Sequence, residues 1–413
     1  MAINLFSIEL LKEIFENVDS LFSCILVNRK WCQTAVPILW RSPNPSENSL
    51  LPLVTSYLRS LPEKQIKILK EENIPLPNEK SSIFDYPYFL KTLDLKLIKE
   101  MSKKWLNNNN NNNNNSKNKS HIEFLNEILV SYFLEQAEKI YFIHLNESAQ
   151  TLTINQNLLN LQKFKKLHIA SWKDENTFME KITTFTTNLQ YIIAECVNYK
   201  KKALALASLI QKQSSLQHLK LLYAFGDDYC SIIFKSLPSQ SNSLKKLELY
   251  RVNLDTIDSW VTCFNLKTLE IRNCTGTIDF ISIPWKPIFP NLQNFIFINY
   301  ANNRQFFIPF VVKIIEAAKK SLLHFKCSML GDMSEIITSI SLNCPNIRHL
   351  DLQSSSSSQI ILILNSCHDL RTLKFYYNDI INELVFIEMI KHIKPPLKKF
   401  LAIGSRDHQS LCC

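Results

Sequence analysis

The side chains able to do chemistry recur at fixed places in this sequence. His218, His324 and His349 hold one position of a repeating pattern, and Cys263, Cys344 and Cys367 hold another. Imidazole and thiolate are zinc ligands, and a structural zinc takes four of them in tetrahedral geometry. His218 lies four copies of the pattern from His324, which on stacked strands ~4.8 Å apart is too far to share an ion. His324 and His349 fall on adjacent copies but bring no third ligand. The expectation is therefore no metal. The thiols, with Cys274, read as small hydrophobes packed inside the chain. No GxSxG, HExxH or CxxC occurs, and Gly226, Gly276, Gly331 and Gly404 are too scattered for a phosphate-cradling loop. The doublets Asp227-Asp228 and Glu71-Glu72 read as loop or helix-surface charge. The terminal Cys412-Cys413 lacks the four-residue prenylation pattern, whose cysteine position is held by Ser410. These residues predict no catalytic centre and no cofactor.

What positions them is a repeat. An apolar motif LxxLxL starts at residues 164, 189, 216, 244, 266, 292, 322, 347, 370 and 397, in steps of 22 to 30 residues. That period is in the range of leucine-rich repeats. Between copies the spacing turns helical, as in FMEKITTF from Phe178, ALALASLIQ from Ala203, CSIIFKSL from Cys230 and SEIITSIS from Ser334. The expected fold is an α/β solenoid of the leucine-rich-repeat type, with parallel strands on one side and helices on the convex side. A weaker copy at Ala137, Ile140 and Phe142 would start the array at 137 and run it to 413.

The last two apolar residues of each copy are two apart, so both point into the core, and their neighbours face outward. The outward set includes His218, Lys220, Lys246, Glu248, Tyr250, Glu270, Arg272, Lys326, Asp351, Lys374 and Tyr376. These are the candidate residues for binding a protein target, with Tyr250, Arg272 and Tyr376 as anchors, because interfaces favour Tyr and Arg.

Ahead of the array, residues 1–42 read as a compact helical unit. Leu10, Ile14 and Val18 lie on one helical stripe beside Leu11 and Phe15, Ser7 is a candidate cap, and Pro37 is expected to end or kink the last helix. About 40 residues bury little core by themselves, so the unit needs a neighbour or a partner. Residues 43–136 read as a connecting region, with helices over Leu50–Leu61, Leu93–Trp105 and Ile122–Ala137 and a disordered asparagine-rich loop over 107–120. The net charge of +10 brings nucleic acid into consideration, but the basic residues are spread along the chain. The odd count of eleven cysteines suits reduced thiols in the cytoplasm or nucleus. No apolar run is long enough for a membrane span, and the first residues, with Glu9 and Glu13, do not read as a secretory leader.

The stretch FSIELLKEIFENVDSLFSCILVNRKW, Phe6–Trp31, resembles an F-box. Glu9, Leu10, Leu11, Ile14 and Phe15 match the first helix of that family, Val18 and Leu21 its loop, and Val27 and Trp31 its late Val and Trp, while Phe6 and Ser7 stand where most members have Leu-Pro. With AVPILWRSP from Ala35 and the degenerate repeats, the chain is similar to the fungal-type branch of F-box proteins with leucine-rich repeats. The resemblance implies a non-catalytic substrate-recognition subunit of an SCF-type cullin–RING ubiquitin ligase. A Skp-family adaptor, and through it a cullin, would bind Phe6, Ser7, Glu9, Leu10, Ile14, Phe15, Leu21, Val27 and Trp31, and the repeats would select the protein to be ubiquitinated. The alternatives are a repeat scaffold that does not engage the ligase, and an RNA-binding solenoid.

Overall fold

A computed structural model describes residues 6–18, 20–78, 82–109, 115–136, 140–145, 164–170, 177–224, 227–255, 263–276, 289–300, 304–329, 331–353, 356–377, 383–404 and 410–412. The chain divides into two compact units, Met1–Asn188 and Leu189–Cys413.

The first unit opens with three helices, α1 (Ile8–Glu16), α2 (Phe22–Ile25) and α3 (Arg29–Leu39). Ser7 caps α1 by accepting a hydrogen bond from the Leu10 N–H at 3.2 Å, and Asn28 caps α3 through Trp31 N–H at 2.9 Å. Leu11, Phe15, Leu21, Ala35 and Ile38 pack together, with Cys24, Ile25, Trp31 and Leu39 around them. Pro37 does not end α3. It removes one N–H from the ladder, and the Trp40 N–H still reaches Val36 O at 3.0 Å, so the helix completes its turn.

Next come α4 (Leu50–Arg59), α5 (Glu63–Glu71), β1 (Thr92–Asp94), α6 (Leu95–Asn109), α7 (Asn115–Gln136), β2 (Phe142–Leu145), β3 (Lys166–Ile169) and α8 (Thr177–Phe185). Strands β1, β2 and β3 pair in parallel in sequence order. Three expectations are corrected here. The strand stack starts before residue 137: Leu90, Leu93 and Leu95 form an LxxLxL copy, all three are buried, and β1 pairs with β2. Leu95 also opens the buried helical stripe of α6 with Ile98, Met101 and Trp105, which hid the strand. The copy at Ala137, Ile140 and Phe142 is shifted by three residues. Ile140, Ile143 and Leu145 are the buried positions, and Phe142 alternates to the other side; Ala137 lies outside the described residues. The asparagine-rich stretch expected as loop over 107–120 is helical at 107–109 and 115–120, its residues 110–114 lying outside the described set. Buried Trp105 and Leu106 anchor α6 just before the asparagines, whose helical cost of well under about 1 kcal/mol each allows another turn.

The second unit holds β4 (Tyr191–Glu195), α9 (Lys200–Lys212), β5 (His218–Leu222), α10 (Asp227–Phe234), β6 (Lys246–Tyr250), β7 (Thr268–Arg272), β8 (Asn294–Asn299), α11 (Arg304–Ala317), β9 (His324–Met329), α12 (Ser334–Asn343), β10 (His349–Leu352), α13 (Ser357–Ser366), β11 (Thr372–Tyr377), α14 (Glu383–Lys391), β12 (Lys399–Gly404) and β13 (Ser410–Cys412). Strands β4 to β12 run parallel, each beside its sequence neighbour, and β13 closes the edge antiparallel to β12. This is a repeat-like α/β stack. Burial alternates along β4, β5, β9 and β10, with Leu219 and Leu221 inside and His218 and Lys220 outside, whereas on β6 and β7 the outward Glu248 and Glu270 are buried as well. Leu247, Leu269, Phe295, Phe325, Leu350, Leu373 and Phe400 share one register across the sheet, and all are buried. Cys263, Cys274, Cys344 and Cys367 are buried free thiols, each pushed up to about 12 chiefly by desolvation.

Two devices tie neighbouring repeats together. Cys196, Tyr223, Arg251 and Asn273, each directly after a strand, adopt left-handed backbone with φ between 49° and 57°. There each N–H reaches a carbonyl at the end of the next strand, the last one for Cys196, Tyr223 and Arg251, as Tyr223 N–H does to Tyr250 O at 2.9 Å, and Ile298 O for Asn273. Buried Gln240 donates to Ile210 O at 2.9 Å and Gln213 O at 2.7 Å and accepts from Leu216 N–H at 3.3 Å. Gln240→Leu keeps the volume but removes three hydrogen bonds to buried backbone groups, of which Ile210 O keeps the Gln213 N–H at 3.1 Å. The expected cost is about 3 kcal/mol, read as a lower midpoint in chemical denaturation, with Gln240→Glu as a comparison.

Candidate functional site

Two surfaces stand out, one on each unit. The first lies on the opening helices. Leu10 and Ile14 are one turn apart and share an exposed stripe, while Leu11 and Phe15 on the neighbouring stripe are buried. Phe6, Ile8, Val18 and Val27 are also exposed, and Phe22 and Leu26 are 74% and 83% exposed. A helical unit this small has one core, and its second apolar stripe is left over. Clusters of large exposed apolar groups mark interaction sites.

Among the expected adaptor-binding residues, Phe6, Leu10, Ile14 and Val27 lie on this exposed face. Phe15 and Leu21 do not: both are buried in the unit's own core, Phe15 from the inner stripe of α1 and Leu21 from the residue just before α2. Trp31 packs edge-on against Phe15, with ring centroids 5.1 Å apart, so it also serves the core in part. Ser7 is the helix cap, and Glu9 is exposed in the first turn. Sequence reasoning did not assign Ile8, Val18, Phe22 and Leu26 to docking. The signal was present in Phe22 and Leu26, four apart in a stretch too short to bury both.

The second surface is the open face of the sheet in the second unit, where the expected target-binding residues form two ionic groups. On β5 to β7, Glu248 is nearly enclosed. It accepts from His218 Nε2 at 3.1 Å, lies 3.3 Å from Lys220 Nζ and pairs with Lys246. Burial by itself would raise the Glu248 carboxyl, but hydrogen bonds from His218 and Lys246, together with their charge, outweigh it and hold the carboxyl down at about 2. Beside it Glu270 binds the Tyr250 hydroxyl and Arg272 Nε, and Lys220 sits 4.7 Å above the Tyr250 ring. Tyr250 and Arg272, expected as anchors, already share Glu270. On β9 to β11, Lys326 pairs with Asp351 at 2.8 Å, and Lys374 lies 4.9 Å over the ring of Tyr376.

His218 is thus held by Glu248, and His324 and His349 stack on each other at 4.4 Å. Among the described residues no group of three His, Cys, Asp or Glu could hold a metal ion, and no helix is long and apolar enough to cross a membrane.

The low Glu248 value has a stability consequence. A carboxylate held below its ordinary value near 4.5 stabilises the fold fully above that pH, and the contribution fades as pH falls toward about 2. The stability gap between the parent chain and Glu248→Gln should therefore be widest above pH 4.5 and close as pH approaches 2. Urea denaturation along a pH series checks this, and a gap that widened on acidification would contradict it.

These features define a repeat-like α/β protein with an apolar face at one end of the sequence and a charged strand face in its second unit. No family model matches the chain, and no curated protein matches it.

Proposed function

We propose that this chain is a non-catalytic substrate receptor of an SCF-type cullin–RING ubiquitin ligase. In this reading the opening helices are an F-box docking a Skp-family adaptor, and the strand–helix stack is a leucine-rich-repeat array presenting a target protein. The observation that carries the reading is the apolar face spread over Phe6–Val27, on a helical unit whose sequence resembles that family. Phe22 or Leu26, if fully buried against an adaptor, contributes about 1.5–3 kcal/mol. Ser7 does the capping work at the place where the family has Leu-Pro, so the helix start is preserved by other chemistry. Catalysis would be by proximity: the receptor raises the effective concentration of a target lysine near a charged ubiquitin carrier, and the bond-making groups belong to other subunits.

Mixing the purified chain with a Skp-type adaptor and a cullin tests the reading. Co-elution as one complex on size exclusion is the expected result. Separate elution of a folded chain would move the protein to the class of repeat scaffolds without ligase engagement.

A further inference from the structure

The strand face of the second unit carries a groove of about 530 Å³ running from β6 to β12. Its floor has two apolar patches, Ile296 on β8 and Leu401 on β12, at positions where the other repeats carry mostly charged residues. Between them lie Lys326, Asp351 and Lys374, in register on β9, β10 and β11. Lys246 and Lys399 also line it.

The charges are not balanced. Four lysines line the groove against two carboxylates, Glu270 and Asp351, and with Lys246 paired to Glu248 and Lys326 to Asp351 the excess rests on Lys374 and Lys399. Both carboxylates are already engaged, Glu270 by Tyr250 and Arg272, and Asp351 by Lys326. Towards β12 two more cations, Arg371 and Lys398, stand next to lining residues without lining the groove themselves. Lys399 is exposed, and Arg371 and Lys398 stand exposed immediately before β11 and β12, hydrogen-bonded in adjacent rows through Lys398 N–H to Arg371 O at 2.8 Å. Among the described residues none of these three cations has a carboxylate partner. Crowded like charges on a rigid sheet are relieved by an anionic ligand.

The spacing sets the ligand's shape. Ile296 and Leu401 are four strands apart, or ~19 Å at ~4.8 Å per strand. An extended chain covers that distance in about six residues, and residues six apart point to the same side. We propose that this groove binds an extended acidic polypeptide segment lying across the strands, with two apolar side chains about six positions apart seated on Ile296 and Leu401 and carboxylates between them facing Lys374 and Lys399. A single-stranded nucleic acid fits less well. The histidines in the groove are stacked on each other instead of being free for bases, and Glu270 and Asp351 would face its phosphates. The proposal rests on the receptor reading only for calling the ligand a ligase target; the binding chemistry stands by itself.

The test is fluorescence anisotropy of the full chain with a labelled ten-residue peptide carrying leucines six positions apart and glutamates between them. Lys374→Glu combined with Lys399→Glu is expected to weaken binding by at least about tenfold. Lys200→Glu with Lys201→Glu on α9, the same change in net charge, should leave it within about twofold. Replacing the peptide's glutamates by glutamine, or Ile296 by serine, should also weaken binding, with circular dichroism unchanged for every variant. Absence of peptide binding, equal binding of the glutamine peptide, an equal loss in the α9 variant, or tighter binding of oligouridylate overturns the proposal. Adaptor co-elution, measured on the same preparations, separates the two ideas. Peptide binding lost with adaptor retained removes the groove alone, and the reverse removes the ligase reading alone.

Discussion

Replacing Phe22 and Leu26 together by glutamate is expected to lower affinity for a Skp-type adaptor by at least about a hundredfold and to leave the fold unchanged. The two side chains are 74% and 83% exposed and lie outside the packed cluster of the opening helices. Their replacement removes no core contact, so the denaturation midpoint should stay within about 0.5 kcal/mol of the parent. In a complex each would bury most of its apolar surface, and the pair together contributes about 3–6 kcal/mol. A glutamate buried there without a partner adds a desolvation penalty. Titration calorimetry gives the affinity and urea denaturation gives the stability. Unchanged affinity would move the docking face away from α2.

Phe15→Ala should do the opposite, acting on the fold first. Phe15 is 1% exposed, packs with Leu11, Leu21, Ala35 and Ile38, and meets the Trp31 ring edge-on. Removing a buried phenyl group costs about 3–5 kcal/mol. A three-helix cluster of this size has little stability to spare. Amide exchange should therefore accelerate across α1 and α3, while the strands β4 to β12 keep their protection. Adaptor binding is expected to fall with the loss of structure, whereas the Phe22 and Leu26 variant loses binding with structure intact. Unaltered exchange in α1 and α3 would show that Phe15 is not the keystone of that unit.

The two variants also show what could be read in the sequence. Leu10, Leu11, Ile14 and Phe15 announce an apolar helix, but a helix apolar on two stripes does not say which stripe is core. Only the path of α3 decides, by bringing Ala35 and Ile38 against Leu11 and Phe15. Phe15 and Leu21 were expected in docking and turned out to be core for that reason. In the repeats the alternation of LxxLxL fixed both the inward and outward sets, because a strand has only two faces. The helices between the copies followed from their period, including α8, α9, α10 and α12. The strand at Thr92–Asp94 was hidden because Leu95, which completes its repeat copy, also opens the helical stripe Leu95, Ile98, Met101 and Trp105 of α6. The ionic partners on the open face could not be read, since pairing Glu248 with His218 and Lys220 needs the register of β5 against β6. Ile296 and Leu401 were visible as apolar residues at outward positions, but their separation across the groove appears only once the strands are counted in space.

The central claim is that the opening helices are a docking module for a Skp-family adaptor. Hydrogen–deuterium exchange of the full chain, alone and with a saturating Skp-type adaptor, tests it most directly. New protection is expected within residues 6–31, strongest around α1 and α2, and none in β5 to β12. Protection confined to the strand face, or no protection at an adaptor concentration that saturates a known F-box, would contradict it.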